Sequence, residues 1–503
     1  MNSLYYGDNL DVLVRHIDDE TVDLIYLDPP FQSGRDYNVL FEEQDGTAAA
    51  AQIQAFEDTW IWDKRAAATY DDVVARGGPL AETLEAFKRL LGGTPMLAYV
   101  SMMAPRLVEL RRVLRKKGSI YLHCDSSASA HLRILMDAIF GPGNFRNEII
   151  WYYYNKMHDS RKKLFPRATD TLLFYVKDRE SDFTYKQLKE MRDAPVKQLA
   201  RKKVDGRMVN VKDAEGHVVY RIKEDRTIDN VWRIPCIQPA DQTQRMGYPT
   251  QKPEALLERV IEASSNEGDV VLDPFCGCGT TIAVAQRMKR EWIGIDITHL
   301  AIGLIKFRLL HSFGMKPKTD YDVIGEPTTI EGAIQLAEDD RHQFEHWALG
   351  LVGARASAKG KGADKGIDGQ LSFQEGGVGA PFKRVLISVK SGKVSSRDVR
   401  DLRAVVERDK AAIGLLITLE KPSRDMKTEE AEGGFYQSPW GRHPRIQVLT
   451  VRELLDGKQL DMPPIRPGGT TYKVPRRVDR EGDQGSLPLP RAERPPELRR
   501  PRR

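Results

Sequence analysis

The sequence predicts an α/β fold in which helices cover both faces of a parallel or mixed sheet. Short runs of strand-forming residues alternate with segments of helical spacing along the first 320 residues, and several strands end in polar or glycine-rich turns. Val22–Leu27 is rich in strand formers, whereas 95–114 has apolar residues at intervals of three and four. Alternation of this kind is typical of a doubly wound sheet.

The remaining elements follow the same patterns. A glycine-led turn at 7–10 opens a helix through His16, and the helix at 95–114 runs into three cations and Gly118, which is typical of a helix C-terminus. Residues 36–93 are polar and mixed, and we expect them to be helical, with Trp60 and Trp62 as anchors. The other predicted strands are 4–6, 119–125, 148–154, 171–176, 269–273 and 292–296, and the other predicted helices are 131–140 and one that starts at Pro253.

Length and composition limit the classes of function. The chain has 503 residues, enough for two or three domains, and its 41% hydrophobic and 30% charged residues are ordinary for a soluble protein. No apolar run approaches the length that spans a bilayer, and the N-terminus does not begin a signal peptide. The four cysteines have no disulfide or zinc spacing, so we expect a cytoplasmic protein with reduced thiols; they are Cys124, Cys236, Cys276 and Cys278.

Positive charge is concentrated in two stretches. Residues 156–245 include 21 basic and 14 acidic residues, and residues 466–503 include 11 and 5, although the whole chain has a net charge of only +5. A local basic excess favours contact with a polyanion. For 466–503, a stretch rich in arginine and proline that we expect to be disordered, a solvated surface is an equal alternative.

The residues Asp28-Pro29-Pro30-Phe31 follow the strand Val22–Leu27 and stand at its carboxyl end, where open α/β sheets bind ligands. The two prolines fix φ and remove two N–H donors, so the carbonyls of Asp28 and Pro29 are held outward with little freedom. A carboxylate and a carbonyl beside an apolar face suit a planar ring that carries an exocyclic amine. Considered alone, a proline-rich turn that closes a strand is the simpler interpretation.

A second ligand-binding pattern lies at 269–296. A strand runs into the glycine loop Asp273-Pro274-Phe275-Cys276-Gly277-Cys278-Gly279-Thr280-Thr281, a helix begins there, and the next strand ends in Asp296. Glycines let the backbone approach a ligand, and an acid about 20 residues further on has the spacing of a ribose-binding carboxylate. The loop lacks the Gly-x-Gly-x-x-Gly pattern and the lysine of a phosphate loop. A nucleoside cofactor without pyrophosphate therefore fits better.

Together these patches resemble the S-adenosylmethionine-dependent DNA amino-methyltransferases of the β group, in which the catalytic motif precedes the cofactor motif. The match covers about residues 1–315 and includes the turn at 7–10, the corner at 28–31, Lys252-Pro253, the glycine loop and Asp296. The resemblance implies a methyltransferase domain at 1–320 with a Rossmann-like, mixed seven-stranded sheet in circularly permuted order. The strand at 4–6 would then complete the cofactor end of that sheet.

The resemblance also implies a role for each matched residue. The catalytic set is Asp28, Pro29, Pro30 and Phe31, and the cofactor-binding set is Asp8, Lys252, Asp273, Phe275, Gly277, Gly279, Thr280 and Asp296. The loop residues would surround the methionine moiety and Asp296 would hold the ribose. For Asp8 and Lys252, turn and helix-start chemistry is an equal alternative.

The reaction that the resemblance implies is methylation of an exocyclic amine on a base flipped out of double-stranded DNA. Asp28 and the Pro29 carbonyl would accept hydrogen bonds from the amine, and Phe31 would stack on the base. Aspartate at position 28 favours adenine N6, with cytosine N4 as the alternative. We expect a site-specific enzyme of restriction–modification or phage defence, with target recognition at about 180–247. The recognition sequence and the oligomeric state, including a homodimer, are left open.

A second resemblance follows the change of character at 325–327. Residues 335–462 resemble a restriction-endonuclease-like domain of the Mrr type, whose metal-binding residues would here be Glu345, Asp368 and Lys390, with Mg²⁺ as the metal. Ser388 stands where that family has an acid or an amide, and serine is a weak metal ligand. Two alternatives stay open: a bifunctional protein that also cleaves DNA, and a domain that retains only DNA binding.

Overall fold

The computed structural model describes residues 2–30, 37–42, 48–56, 61–156, 163, 165–204, 206–238, 241, 244–246, 248, 250–357, 366–375 and 382–463. The predicted catalytic Phe31, the predicted anchor Trp60 and the basic stretch 466–503 lie outside these residues. Among the helices that the structure describes, none combines the length and the apolar character that crossing a lipid bilayer requires.

The larger part of the chain, up to residue 324, alternates strands and helices as the sequence predicts. Its strands are β1 (Ser3–Tyr6), β2 (Val22–Leu27), β3 (Tyr37–Glu42), β4 (Ala48–Phe56), β5 (Leu114–Cys124), β6 (Phe145–Tyr152), β7 (Thr169–Val176), β8 (Lys189–Leu199), β9 (Arg201–Val204), β10 (Arg207–Asn210), β11 (Tyr220–Thr227), β12 (Val231–Arg233), β13 (Val270–Asp273), β14 (Glu291–Asp296) and β15 (Asp322–Ile324). Its helices are α1 (Asn9–His16), α2 (Lys64–Ala75), α3 (Gly78–Leu91), α4 (Pro95–Val113), α5 (Ser129–Phe140), α6 (Glu254–Ser264), α7 (Thr280–Arg287) and α8 (His299–Phe313).

Nine of these strands form one mixed sheet in the order β12-β6-β7-β5-β2-β13-β14-β1-β15. Strand β7 runs antiparallel to β5 and β6, and the other neighbours are parallel. The seven predicted strands are all present, and the three-residue strands β12 and β15 extend the two edges. Strand β1 pairs with β14, so the N-terminal strand completes the end of the sheet as the permuted order requires.

Helices cover both faces of this sheet, which confirms the doubly wound architecture. On one face, α1 to α5 bury apolar side chains such as Leu13, Leu84, Leu107 and Leu132 against the strands. On the other face, α6, α7 and α8 contribute Leu257, Ile282 and Ile305. Strand β2, near the middle of the sheet, is buried on both sides, and its carboxyl end is therefore held rigidly.

Two local predictions are wrong. Residues 37–42 and 48–56, expected to be helical, pair as the antiparallel strands β3 and β4 before α2 and α3 begin. Strand pairing here overrides the helix preference of the alanine run at 48–51. The residues 115–118, expected to end the preceding helix, belong to β5. A Cβ at Gly118 would lie 2.9 Å from the carbonyl oxygen of Asp23, so this glycine serves close strand packing and not a helix stop.

Residues 189–227 form an arm outside the main sheet. Strands β8 and β11 pair as one antiparallel ribbon and β9 and β10 pair as another. Every side chain of β9 and β10 is exposed, and the arm also exposes Met208, Tyr220 and Ile222. Strand β12 then returns the chain to the main sheet beside β6. The arm lies within the predicted target-recognition segment.

The C-terminal part has its own five-stranded sheet in the order β16-β17-β18-β19-β22. The strands here are β16 (Arg355–Ala356), β17 (Gly369–Gln374), β18 (Phe382–Lys390), β19 (Ile413–Thr418), β20 (Phe435–Ser438), β21 (Gly441–Pro444) and β22 (Ile446–Thr450), and the helices are α9 (Ile330–Asp339), α10 (Arg341–Leu351), α11 (Ser396–Arg408), α12 (Arg424–Glu432) and α13 (Val451–Leu455). Two separate sheets agree with two domains, and the boundaries 1–320 and 335–462 stay a prediction.

The two parts share one apolar cluster, which we call the junction. It joins Leu300 and Leu304 of α8, with Cys278 of the glycine loop and Tyr248, to Phe344 and Trp347 of α10. The backbone N–H of His299 donates to Oε1 of Gln343 across this contact at 3.0 Å. The C-terminal domain therefore packs directly behind the glycine loop.

Candidate active site

A cavity of about 290 Å³ opens at the carboxyl ends of β2, β13 and β14. This volume is near the lower end of the range for small-ligand sites. The structure brings nearly all of the described predicted site residues of the first domain to its walls, namely Asp8, Asp28, Pro29, Pro30, Lys252, Asp273, Phe275, Gly277, Thr280 and Asp296. Gly279 is not in the wall and lies one residue before α7.

The glycine loop owes its shape to two residues in the left-handed region. Gly277 and Gly279 have φ values of 49° and 73°, which other residues rarely adopt. A Cβ at Gly279 would lie 2.7 Å from Cγ1 of Ile305, and one at Gly277 would lie 3.2 Å from the ring of Tyr248. With glycine at both positions, the loop delivers the N-terminus of α7, whose first N–H groups have no intrahelical partners, to the cavity.

Two buried acids fix this loop. Oδ1 of Asp273 accepts a hydrogen bond from the N–H of Phe275 at 3.0 Å, and burial raises the pKa of Asp273 from 3.8 to about 7. Oδ2 of Asp296 accepts from the N–H of Gly277 at 2.9 Å, and Oδ1 accepts from the N–H and hydroxyl of Thr298. Burial raises the pKa of Asp296 as well. Both acids therefore hold the loop in shape and also face the cavity.

Asp8 is the N-cap residue of α1 and also lies in the cavity wall. Its Oδ1 caps α1 by accepting from the N–H of Leu10 at 2.8 Å. Its two carboxylate oxygens accept from Nη2 of Arg106 at 2.8 and 2.9 Å. Arg106 also donates through Nε to Oδ1 of Asn9 at 2.6 Å, and Nδ2 of Asn9 donates to the Pro274 carbonyl at 2.9 Å. This chain of bonds ties α1 and α4 to the glycine loop.

At the corner after β2, one carboxylate oxygen of Asp28 has a hydrogen-bond donor among the described residues and the other has none. Oδ2 of Asp28 accepts a short hydrogen bond from Nζ of Lys252. Oδ1 is buried and has no hydrogen-bond partner among the described residues. Lys252, predicted to line the cofactor pocket, is in the cavity wall and is also paired with the predicted catalytic acid. A buried oxygen without a donor is costly unless a ligand supplies one.

The comparisons with known proteins decide what this arrangement belongs to. A protein-family model described as "DNA methylase" matches residues 22–306, more than half of the chain. The chain belongs to the DNA methylase family. It is an S-adenosylmethionine-dependent DNA methyltransferase, and most of the glycine loop predicted to bind the cofactor lies in the wall of the cavity.

Three similar proteins illustrate the range of this family. The type II methyltransferase M.EcaI of Enterobacter cloacae is 25% identical over 398 residues, which cover 68% of this methyltransferase and 76% of that protein. The DNA adenine methyltransferase YhdJ of Escherichia coli K12 is 27% identical, over 60% of this chain and 81% of that protein. Among solved structures, the PvuII DNA methyltransferase (cytosine-N4-specific) is similar with 15% identity and a TM-score of 0.35, covering 60% of this chain and 85% of that chain.

Three residues in or next to the methyltransferase site were not predicted from the sequence. Arg106 lies inside the apolar helix α4, where nothing distinguishes it from a surface arginine. Arg308, also almost wholly buried, contacts the Cys278 carbonyl, the Thr280 hydroxyl and Glu254 beneath the glycine loop. His123 could have been found, because it stands among the polar residues at the carboxyl end of its strand. It is completely buried, and its Nδ1 lies 3.9 Å from Oδ1 of Asp28.

The predicted metal site of the C-terminal domain is arranged differently. A family model described as "NACHT-associated inactive Restriction Endonuclease 1" matches residues 341–456. Asp368 precedes β17, and its Oδ2 accepts from the N–H of Val389 at 2.7 Å and the hydroxyl of Ser388 at 3.4 Å. Glu345 is buried on α10 and pairs with Arg341 and His342 of the same helix. Lys390 ends β18. Among the described residues, no group of three or more His, Cys, Asp or Glu side chains is placed to hold a metal ion.

Proposed function

We propose that this methyltransferase methylates N6 of adenine at a specific site in double-stranded DNA, acting in the cytoplasm in restriction–modification or phage defence. The observation that supports this proposal is Oδ1 of Asp28, a buried acceptor at the edge of the cavity for which the described part of the chain supplies no donor. An amine held there lies next to the place where the family binds its methyl donor. Aspartate at position 28 and the similarity to the DNA adenine methyltransferase of Escherichia coli favour adenine.

The residues of the cavity fit the cofactor. A Cβ at Gly279 would meet Ile305 and one at Gly277 would press on the ring of Tyr248, so glycine at both positions keeps the left-handed turn that presents the N-terminus of α7 to a ligand carboxylate. Asp296 faces the cavity with lone pairs that can accept from ribose hydroxyls, in addition to those used by Gly277 and Thr298. When bound, S-adenosylmethionine supplies a methyl group on a positively charged sulfur. We assign Asp8, Lys252, Asp273, Phe275, Gly277, Gly279, Thr280 and Asp296 to its binding.

The chain's part in the reaction is to prepare the amine. An exocyclic amine is a weak nucleophile because its lone pair is delocalised into the ring. Oδ1 of Asp28 and the carbonyl of Pro29 would accept its two N–H groups and favour a pyramidal nitrogen with a directed lone pair. Pro29 and Pro30 hold this corner with fixed φ, and Lys252 holds Oδ2, so the acceptors are positioned before the base arrives. We assign stacking on the base to Phe31.

We assign DNA contact to the arm at 189–227. Six basic residues and one acidic residue lie between positions 197 and 212, and the strands there are exposed on both faces. Basic side chains on an exposed ribbon suit phosphate contacts, which position a protein on DNA, whereas base contacts specify the sequence. The exposed Tyr220 and Ile222 give the arm apolar side chains as well.

For the C-terminal domain we infer DNA binding without cleavage. Cleavage with Mg²⁺ needs several oxygen ligands directed at one ion. Oδ2 of Asp368 instead accepts from the backbone of Val389, Glu345 is paired with Arg341 and His342 of its own helix, and Ser388 replaces the expected acid or amide. These residues do not fit the metal, and we derive no cleavage step. A nicking assay on supercoiled plasmid with Mg²⁺ tests this inference, and a nick that requires Asp368 would contradict it.

Nucleoside analysis is the experiment that tests the main proposal. The purified protein is incubated with unmethylated bacterial genomic DNA and isotopically labelled cofactor, and the DNA is digested to nucleosides and analysed by mass spectrometry. We expect labelled N6-methyladenine. Labelled N4-methylcytosine would overturn the choice of base, and no label in any nucleoside would overturn the proposed reaction. Light scattering on the same preparation determines whether the homodimer forms.

A further inference from the structure

A row of polar side chains, among which His123 is completely buried, stands behind Asp28 on β2, β5 and β7. His123 lies on β5, between β2, which carries Tyr26 and leads into Asp28, and β7, which carries Asp170. The imidazole is completely buried, and the ring of Trp151 packs against it in a T-shaped contact with 5.6 Å between centroids. Nothing in the cofactor motif requires a histidine at this place.

The distances order these groups into a line. The Tyr26 hydroxyl lies 2.8 Å from Nδ1 of His123. The same nitrogen lies 3.9 Å from Oδ1 of Asp28, and Nε2 on the other side of the ring lies 3.6 Å from Oδ2 of Asp170. The imidazole therefore faces the carboxylate of the corner with one nitrogen and a second carboxylate with the other.

Burial and hydrogen bonding indicate which atoms of Tyr26, His123 and Asp170 carry protons before the reaction. Burial raises the pKa of Tyr26 well above its ordinary value, so the phenol stays protonated and donates a hydrogen bond to Nδ1. Burial tends to raise the pKa of Asp170 too, but the hydrogen bond and electrostatic interaction with His123, together with the charges of Lys252 and Lys156, lower it overall. Asp170 is therefore an anion that can accept from an Nε2–H, and a proton on Nε2 leaves Nδ1 to accept from the Tyr26 hydroxyl.

The reaction itself requires a proton acceptor. When the methyl group moves, the carbon–sulfur bond breaks with its electron pair going to sulfur, and a nitrogen–carbon bond forms. The amine nitrogen then carries a positive charge and must lose one proton. Asp28 would accept an N–H of that amine. Lys252 already donates to Oδ2 of Asp28, and on the other side Nδ1 of His123 lies 3.9 Å from Oδ1.

We propose that His123 is a positioning residue that keeps Oδ1 of Asp28 open to the amine and, through Asp28, takes up the proton that the amine releases. The proton passes from the amine nitrogen to Oδ1 and then to Nδ1, after an approach of about 1 Å that brings the pair to hydrogen-bond distance. The Tyr26 hydroxyl turns from donor to acceptor, and Asp170 stabilises the imidazolium that forms. The proton leaves to solvent after the product is released. This inference rests on the proposed role of Asp28.

The test uses the full-length protein and two variants, Asp170→Asn and His123→Asn, with Tyr121→Phe as the matched control. Asp170→Asn keeps the shape but removes the charge that stabilises the imidazolium. His123→Asn keeps a polar partner for Tyr26 but has no basic nitrogen. Tyr121 lies opposite Tyr26 on the neighbouring strand, and its buried hydroxyl bonds to Ser264 at 2.7 Å, away from Asp28.

We expect the single-turnover rate of methyl transfer to fall about 10²-fold in both variants, the order of effect that general acid–base groups have. Cofactor and DNA dissociation constants should stay at wild-type values, and Tyr121→Phe should retain the wild-type rate. The pH–rate profile separates a relay from a structural role. The groups that face the imidazole are Tyr26, Asp28 and Asp170, with Lys252 beyond Asp28. His123→Asn removes the proposed proton acceptor and Asp170→Asn removes the charge beside it, so both should change the pH–rate profile, whereas Tyr121→Phe should leave it unchanged.

Wild-type rates in both variants, or equal losses of rate and binding with an unchanged pH profile, would overturn the inference. Thermal unfolding identifies a variant that fails to fold, in which case the other variant carries the test. A wild-type protein that methylates no DNA refutes the proposed function instead. An active wild type with indifferent variants refutes only the role of His123.

Discussion

The two candidate sites of this chain contain the same kinds of residue and differ in how their hydrogen-bonding capacity is used. In the methyltransferase site, Lys252 occupies one oxygen of Asp28, and the other oxygen is buried without a partner among the described residues. In the C-terminal site, the carboxylate of Asp368 accepts from the backbone of its own sheet, and Glu345 pairs within its own helix. An acid at a strand end indicates a site only when part of it is left for a ligand.

The largest effect should come from removing the acid in the first site. We expect Asp28→Ala to lower the single-turnover rate of methyl transfer by about 10²–10³-fold, because a preorganised polar partner of the reacting group is lost. Asp368→Ala, the matched change in the second site, should leave the rate unchanged. Methylation of DNA with labelled cofactor measures both. If the two substitutions had similar effects, the contrast between the sites would be wrong.

An intermediate effect should follow from filling the space at Gly279. Its φ of 73° and the 2.7 Å approach to Ile305 make Gly279→Ala strained, and we expect cofactor affinity to fall about tenfold or more, the equivalent of about 1.4 kcal/mol. Gly303→Ala is the control, because a Cβ there meets no atom within 4 Å on the same supporting helix. Isothermal titration with cofactor compares them. Equal affinities in the two variants would contradict the role given to the loop.

The smallest effect concerns the pH dependence of stability. The pKa of Asp273 is about 7 in the folded protein against an ordinary value of 3.8, so the folded state binds this proton more tightly. The stabilisation from this group is complete below pH 3.8 and is lost as the pH rises through about 7. Without cofactor, Tm should fall by a few degrees between about pH 4 and about pH 8 relative to Asp273→Asn. Parallel Tm profiles in differential scanning calorimetry would argue against this raised pKa.

Seven strands of the main sheet and the glycine loop could be predicted from the sequence because each has a local signal, and the permuted order followed from the family resemblance. The strand Val22–Leu27 and the glycines with positive φ can be predicted from residues close to them in the sequence. The hydrogen-bond partners of the site residues cannot. Arg106 reaches Asp8 over 98 positions, and Lys252 reaches Asp28 over 224. A pairing of that kind depends on tertiary packing, so the sequence could name Asp8, Asp28 and Lys252 but not what holds them.

The pair of strands β3 and β4 shows a different limit of prediction from sequence. Its alanine-rich arm favours a helix by local preference, and only pairing with the other arm makes it a strand. The arm at 189–227 lies in a segment that the motif order of the family and the local basic charge predicted for target recognition. Its shape as two ribbons outside the main sheet could not be inferred, because charge indicates a surface and not a strand order.

The junction has a consequence for the life of the chain in the cell. Tyr248 and Cys278 line the cofactor cavity on one side and, on the other, pack in one cluster with Phe344 and Trp347. When the ribosome has synthesised the methyltransferase domain, the residues of α10 that pack behind the glycine loop have therefore not yet been made. We expect nascent or prematurely terminated chains to bind the cofactor poorly. DNA would then be methylated only by molecules whose C-terminal domain has been synthesised and folded.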